Sequence, residues 1–302
     1  MNLNQILEGV ESQLNNANLG YGQGTDDSYE EALRLVFYCM GFAPDKIFDN
    51  FNWYQKISAD ELQQINHYLA LRIDCKTPFP YLVNEAWFAG NQFYIDSRAI
   101  IPRSYFTEWI PDRFEPWVDS CNVTSILDIC TGSGCIAISS ALEFSSAAVV
   151  ASDLSEDALQ VARINIAKYQ LQDRVQLVCS DGFNKVEGKF DLILCNPPYV
   201  SAERMAQLPD EYQKEPEEAF CGGVDGLDFI LPLLMQAEKY LTTHGTLIVE
   251  AGSASHALES RLPNIPFNWL STEFDEMVLF LLTREELVRY KNFFSAINAN
   301  KL

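Results

Sequence analysis

Between residues 125 and 250 five short apolar runs recur: SILDIC (125–130), AAVVASD (147–153), RVQLVCSD (174–181), FDLILCN (190–196) and GTLIVE (245–250). Runs of this length, rich in Val, Ile and Leu, suit strands buried on both faces. Between them lie CIAISSALEF and SEDALQVARINIAKYQ, whose apolar residues recur at helical spacing. Such alternation predicts a doubly wound α/β domain on a mainly parallel sheet. FNWLSTEF and MVLFLLT then follow one another with no helix between them, which predicts an antiparallel pair at the end.

The first 77 residues read differently. Ile6, Val10 and Leu14, then Ala32, Leu33, Leu35, Val36, Cys39 and Met40, then Leu62, Ile65, Leu69 and Ile73 fall at helical spacing. They predict a small helical domain over 1–77, a candidate reader of the substrate. In its first loop, LGYGQGTDDSYEEA, Thr25 or Asp26 can cap a helix starting near Ser28. From Phe79, YLVNEAWF and QFYID flank Gly90-Asn91 and predict a hairpin linker over 78–100. The sheet domain then occupies 101–302.

Ligands of open α/β sheets sit outside the carboxyl ends of the strands. Here those ends read Asp128, Asp153, Asp181, Asn196 and Glu250. The first leads into D-I-C-T-G-S-G (128–134), where Gly132 and Gly134 permit close backbone approach at a helix N-terminus. Neither the dinucleotide pattern G-x-G-x-x-G nor a phosphate-loop G-K-[ST] is present. Asp153 ends the next strand, where an acid accepts hydrogen bonds from both ribose hydroxyls. Asp181 ends the third, facing an adenine amino group, with Phe183 available to cover the ring. No basic residue accompanies the glycines to receive a diphosphate. Adenosine carrying a zwitterionic amino-acid tail suits this site better than NAD.

The fourth strand ends in N-P-P-Y, residues 196–199. Proline has no N–H, and it forces the residue before it into extended geometry, so Asn196 and Pro197 are held stiff and rich in acceptors. Such a loop welcomes a planar NH2 group that donates two hydrogen bonds, with Tyr199 against its flat face.

Composition narrows the partners. Lys plus Arg number 21 against 42 Asp plus Glu, a formal net charge of -21. That repels nucleic-acid phosphates and anionic lipid, and favours a basic macromolecule. The run from Glu203 to Asp228 holds eight acids and two bases, read as a solvated face that also steers a basic partner. Eight cysteines include no C-x-x-C pair, so they read as small buried thiols in a reducing compartment. No run of 18 apolar residues occurs, and the expected location is the cytoplasm, without membrane association. His67, His244 and His256 read as surface or packing residues, the latter two flanking the fifth strand.

DICTGSG, Asp153, Asp181 and NPPY together resemble the S-adenosylmethionine-dependent methyltransferases of planar amino groups, over residues 101–302. IPRSYFTEWI and E-P-E-E-A-F-C-G-G-V-D-G-L-D (215–228) resemble the protein glutamine N-methyltransferase branch of that family. GYGQGTD, the Arg103-Ser104 pair, LCNPPYVSAERMAQLPDEY and PFNWL extend the likeness to nearly the full chain, on the side acting on large-subunit ribosomal protein three. Tyr105, where proline is usual, and FDEMVLF (274–280), replacing a glycine-containing turn, depart from the pattern. The resemblance implies a Rossmann-like methyltransferase domain, a mainly parallel seven-stranded sheet with an antiparallel last strand, behind the helical domain and hairpin. It implies S-adenosylmethionine as cofactor and S-adenosylhomocysteine as product. Thr131, Gly132, Ser133 and Gly134, led by Asp128, would line the methionine end. Asp153 and Leu154 would hold the ribose, and Asp181, Gly182 and Phe183 would face the adenine. Asn196 would touch both cofactor and substrate. With Pro197, Pro198 and Tyr199 it would grip the glutamine NH2. The expected substrate is a basic protein, with large-subunit ribosomal protein three ahead of peptide release factors, and DNA adenine a distant alternative. A catalytically silent chaperone of a ribosomal component is the reading from another class.

Overall fold

The computed structural model describes residues 2–42, 52–273 and 276–294. Three helices open the chain, α1 (Leu3–Asn16), α2 (Ser28–Cys39) and α3 (Ala59–Cys75). Ile6, Val10, Leu14, Leu33, Val36, Ile65 and Leu69 form their shared core. Asn2 and Ser58 cap α1 and α3 as capping boxes, each answered by the side chain three residues on. Asp27 caps α2, accepting from the Glu30 N–H at 2.8 Å. Thr25 and Asp26 stand too early for that role, because the cap oxygen has to reach the third amide of the helix.

The segment from Phe79 begins as a helical turn, α4 (Phe79–Val83), not as a strand. Pro80 sits in its first turn, where a missing N–H leaves nothing unpaired, and Asn84 ends it at φ 54°. The hairpin follows as β1 (Ala86–Phe88) and β2 (Asn91–Phe93). Its turn is Ala89-Gly90, both at positive φ, and Asn91 already belongs to β2, paired with Phe88. A short helix, α5 (Phe106–Trp109), precedes the sheet.

The sheet contains β3 (Ser125–Ile129), β4 (Ala148–Asp153), β5 (Val175–Cys179), β6 (Phe190–Cys195), β7 (Leu241–Glu250), β8 (Asn268–Leu270) and β9 (Leu279–Thr283). Spatial order is β5-β4-β3-β6-β7-β9-β8. Every neighbour is parallel except β9, which runs antiparallel to both β7 and β8. Side chains alternate between two cores, as a two-residue period requires. Ile126, Leu192, Leu194 and Ile248 face one side, and Leu127, Ile193, Val249 and Phe280 the other. Helices α6 (Cys135–Glu143) and α7 (Glu156–Lys168) link β3 to β4 and β4 to β5. The chain thus moves outward from β3 through β4 to β5, then returns to the other side of β3 with β6. That reversal opens a crevice beyond the carboxyl ends of β3 and β6.

β7 begins at Leu241, so His244 is an exposed residue of the strand, not of a turn before it. FDEMVLF loses Phe274 and Asp275 to the undescribed residues, while Leu279 and Phe280 belong to β9. The cysteines are all unpaired, and only Cys39, Cys135 and Cys195 are buried; Cys75, Cys121 and Cys221 are exposed. No described helix is long and apolar enough to cross a membrane.

Candidate active site

The register of β3 against β6 sets the site. Ile129 pairs with Cys195, so the glycine-rich loop and NPPY leave the sheet side by side. Cys130 turns out of β3 at φ 61°, a left-handed conformation uncommon for a residue with a Cβ, and Gly132 follows at 54°. Asp128 supports this turn from below. Sharing a face with Ile126, it is wholly buried against α6, and its Oδ2 accepts from the Thr131 hydroxyl at 2.5 Å and the Ala137 N–H at 3.0 Å. Burial pushes its carboxyl up to about 7. Gly134 also faces away from the crevice: a Cβ there would lie 3.1 Å from the Ala162 Cβ, so glycine lets α7 approach the loop. Asn165 of α7 locks this contact, donating to the Ser133 carbonyl at 2.9 Å.

Asp153, at the end of β4, accepts from the Gly132 N–H at 2.8 Å and the Ser155 N–H at 2.9 Å. A carboxylate has roughly four lone-pair positions, so about two remain for a ligand. Burial raises its pKa above the usual carboxylate value. Asp181 and Gly182 stand at the lip beyond β5, with Leu154 exposed beside them. The Phe183 side chain does not join them: it is buried and stacked on Tyr240, centroids 4.2 Å apart. The aromatic at that end is Phe229, whose ring would lie 4.0 Å from a Cβ on Gly182.

Asn196 and the two prolines form the opposite wall. Among the described residues, no hydrogen bond reaches the Asn196 side chain or the Pro197 carbonyl. Tyr199 is fixed by its hydroxyl, which donates to Glu250 Oε1 at 2.8 Å. Thr131 to Ser133, Asp153, Asp181, Gly182, Phe229 and Asn196 to Tyr199 border one cavity of about 1290 Å³, which also touches Ile100 to Tyr105 and, from the helical region, Gly22, Gly24, Asp26, Glu30 and Arg34. No histidine lines it. No cluster of potential metal ligands occurs among the described residues.

The family model for the methyltransferase small domain matches residues 117–209, from the approach to β3 through NPPY. Three curated relatives carry the name ribosomal protein uL3 glutamine methyltransferase. The one from Francisella tularensis subsp. tularensis is 42% identical over 285 residues, covering 94% of this chain and 90% of its own. Those from Neisseria gonorrhoeae and Bordetella pertussis are 39% and 38% identical, covering 95% and 94% of this chain and 95% and 96% of their own. The chain belongs to this family.

As a glutamine methyltransferase the chain has features that its sequence did not reveal. The run from Glu203 to Asp228 is not simply a solvated face. Glu215 is buried and grips Arg103 with both oxygens, at 2.9 and 3.0 Å, while also accepting from the Ile101 N–H at 3.0 Å. The guanidinium lies over the rings of Tyr212 and Phe220. Glu211 is buried against Arg72 of α3 at 3.1 Å, and Arg72 also holds Glu31 of α2 at 2.6 Å and the Gly20 carbonyl at 2.8 Å. Burial lifts the Glu31 carboxyl above its usual range despite that partner. The segment after NPPY therefore straps the helical region to the sheet domain. Arg103 and Glu215 were both within stretches that resemble the family, but nothing in their spacing announced the pair.

Proposed function

We propose that this chain transfers a methyl group from S-adenosylmethionine to the side-chain amide nitrogen of a glutamine in ribosomal protein uL3. The observation that carries the reading is the pair of unpaired acceptors, Asn196 Oδ1 and the Pro197 carbonyl, bordering the same cavity as Asp153 and the glycine-rich loop. The names of the relatives supply the acceptor protein.

The residues fit the cofactor. Asp153 keeps acceptor capacity for ribose hydroxyls after serving Gly132 and Ser155. Thr131, Gly132 and Ser133 border the cavity for the methionine end, with Asp128 and Gly134 acting behind them to shape the loop. Asp181, Gly182 and Phe229 take the adenine, Phe229 filling the role expected of Phe183. When bound, S-adenosylmethionine supplies an electrophilic methyl group on a positively charged sulfur.

The protein has to make an amide nitrogen attack it. That nitrogen is a poor nucleophile because its lone pair is delocalised into the carbonyl. Asn196 and Pro197 bind its two hydrogens, which aligns the nitrogen and stabilises positive charge as the C–N bond forms. Tyr199 and Pro198 confine the amide, and its proton leaves after transfer. The helical region, whose GYGQGTD loop rims the cavity, reads the surrounding protein surface.

The test is incubation with labelled S-adenosylmethionine and, separately, uL3, a peptide release factor and adenine-containing DNA. Label on uL3, mapped by mass spectrometry to one glutamine, is expected. Label only on release factor or DNA, or on none, refutes the proposal. Asn196→Ala is expected to abolish transfer while preserving much of cofactor binding; undiminished transfer removes Asn196 from its role.

A further inference from the structure

Glu250 ends β7 beside the cavity, with 1% of its surface exposed. Its oxygens serve two different walls. Oε1 accepts from the Tyr199 hydroxyl at 2.8 Å, on the NPPY side. Oε2 accepts from the Ser104 hydroxyl at 2.5 Å and the Tyr105 N–H at 3.1 Å, on the segment leading into α5. Ser104 Oγ in turn accepts from the Phe106 N–H at 3.2 Å, which fixes the hydroxyl's direction. A buried carboxylate is costly unless its lone pairs are matched, and three donors match this one. Under the Tyr199 ring lies Gly252, where a Cβ would stand 2.6 Å from the ring atoms Cε2 and Cζ. The ring is thus seated on bare backbone at its face and tied at its tip. A tyrosine side chain has two rotatable angles, so these two constraints define its position.

We infer that Glu250 is a positioning residue for methyl transfer: it holds Tyr199 in the orientation that confines the substrate amide, and it couples NPPY to the Ser104-Tyr105 wall. This rests on the reading of Asn196 and Tyr199 as the amide-binding groups. A purely structural Glu250 would hold β7 and the cofactor cavity together, and its loss would weaken cofactor binding and turnover alike. A positioning Glu250 acts on turnover, because the cofactor groups Asp153 and Gly132 form their own hydrogen bond without it.

The experiment compares Glu250→Ala, Glu250→Gln, Tyr199→Phe and the Glu250→Ala/Tyr199→Phe double variant. It measures kcat and KM for uL3, and the Kd of S-adenosylmethionine by calorimetry. Glu250→Ala is expected to lower kcat roughly 10- to 100-fold, the range for misplacing an active-site group, with cofactor Kd unchanged. Glu250→Gln keeps the shape and one carbonyl acceptor, and is expected to recover most of that loss. The double variant is expected to fall little below Glu250→Ala, since the tether is already cut. A wild-type kcat in Glu250→Ala, a parallel loss of cofactor affinity, or full additivity overturns the inference. Should Glu250→Ala not fold, Tyr199→Phe, which cuts the same hydrogen bond from the other side, reads the tether in kcat and in urea unfolding. The coupling of Glu250→Ala with Tyr199→Phe in urea unfolding reads the contact without any substrate. Absence of methyl transfer to uL3 by the wild type, in contrast, refutes the proposed function, and an absent coupling in unfolding refutes the positioning contact separately.

Discussion

Asp128→Asn should change how stability depends on pH. The side chain is wholly buried, and burial pushes its carboxyl from the ordinary 3.8 up to about 7. Between those values the unfolded chain has released the proton while the folded chain retains it. Folded protein binds more protons there, so its stability falls as pH rises through the window and is level above it. Three units at about 1.4 kcal/mol each give a loss on the order of 4 kcal/mol from pH 4 to pH 8, a shift that already contains the opposing pull of the Thr131 and Ala137 hydrogen bonds. Asparagine keeps the acceptor for both donors but cannot ionise. Its amide nitrogen inherits the place of Oδ1, which has no partner, at a cost of about 1–3 kcal/mol. The variant should therefore be less stable than wild type at pH 5 and should gain on it up to about pH 7, levelling off towards pH 8. Urea unfolding of both proteins at half-unit intervals measures the difference. A gap that stays constant between pH 5 and pH 8 refutes the claim that Asp128 carries the perturbed titration.

Arg72→Met should destabilise the chain by about 3–5 kcal/mol in urea unfolding, because Glu31 and Glu211 are left buried without their cation; a change within experimental error would mean that the strap does not depend on this hub. Phe229→Ala should weaken S-adenosylmethionine binding by about 1 kcal/mol, the scale of an aromatic stacking contact, with KM for uL3 unaltered, and calorimetry checks it. The specificity constant for uL3 should fall as salt is added, because the formal net charge of -21 is proposed to steer a basic substrate. A salt-insensitive constant would remove electrostatic steering.

Much of the architecture was legible because it depends on neighbours in sequence. The strands β3, β4, β6 and β7 announce themselves through runs that feed two cores alternately, and NPPY announces its acceptors through what proline lacks. Asp128 illustrates what the same rule offers and how it can be overlooked. A two-residue period places it with Ile126 on a core face, and an acid there has to be satisfied from within, as Thr131 and Ala137 do. Phe183 fails for a related reason. One residue past Gly182, the chain has already turned inward and the ring stacks on Tyr240. The aromatic that borders that end of the cavity is Phe229, just before a helix that begins 31 residues after Tyr199, a juxtaposition only the tertiary fold creates.

The acidic run after NPPY marks where local reading stops for a physical reason. Whether a carboxylate is solvated or buried depends on a partner that can lie anywhere in the chain, and the partners here stand 139 and 112 residues away. Glu211 and Glu215 are engaged by Arg72 and Arg103, Asp210 by Lys76, and Asp225 by Arg261. Half of the run's acids are thus neutralised within the molecule, and their main effect is to hold the helical region, NPPY and the Ile101–Tyr105 segment in one frame. Glu203, Glu217 and Glu218 remain exposed beside that frame. Any attraction of a basic substrate therefore comes from the negative field of the whole surface acting at long range, while Glu211 and Glu215 tie together the segments that border the cavity proposed to receive the glutamine.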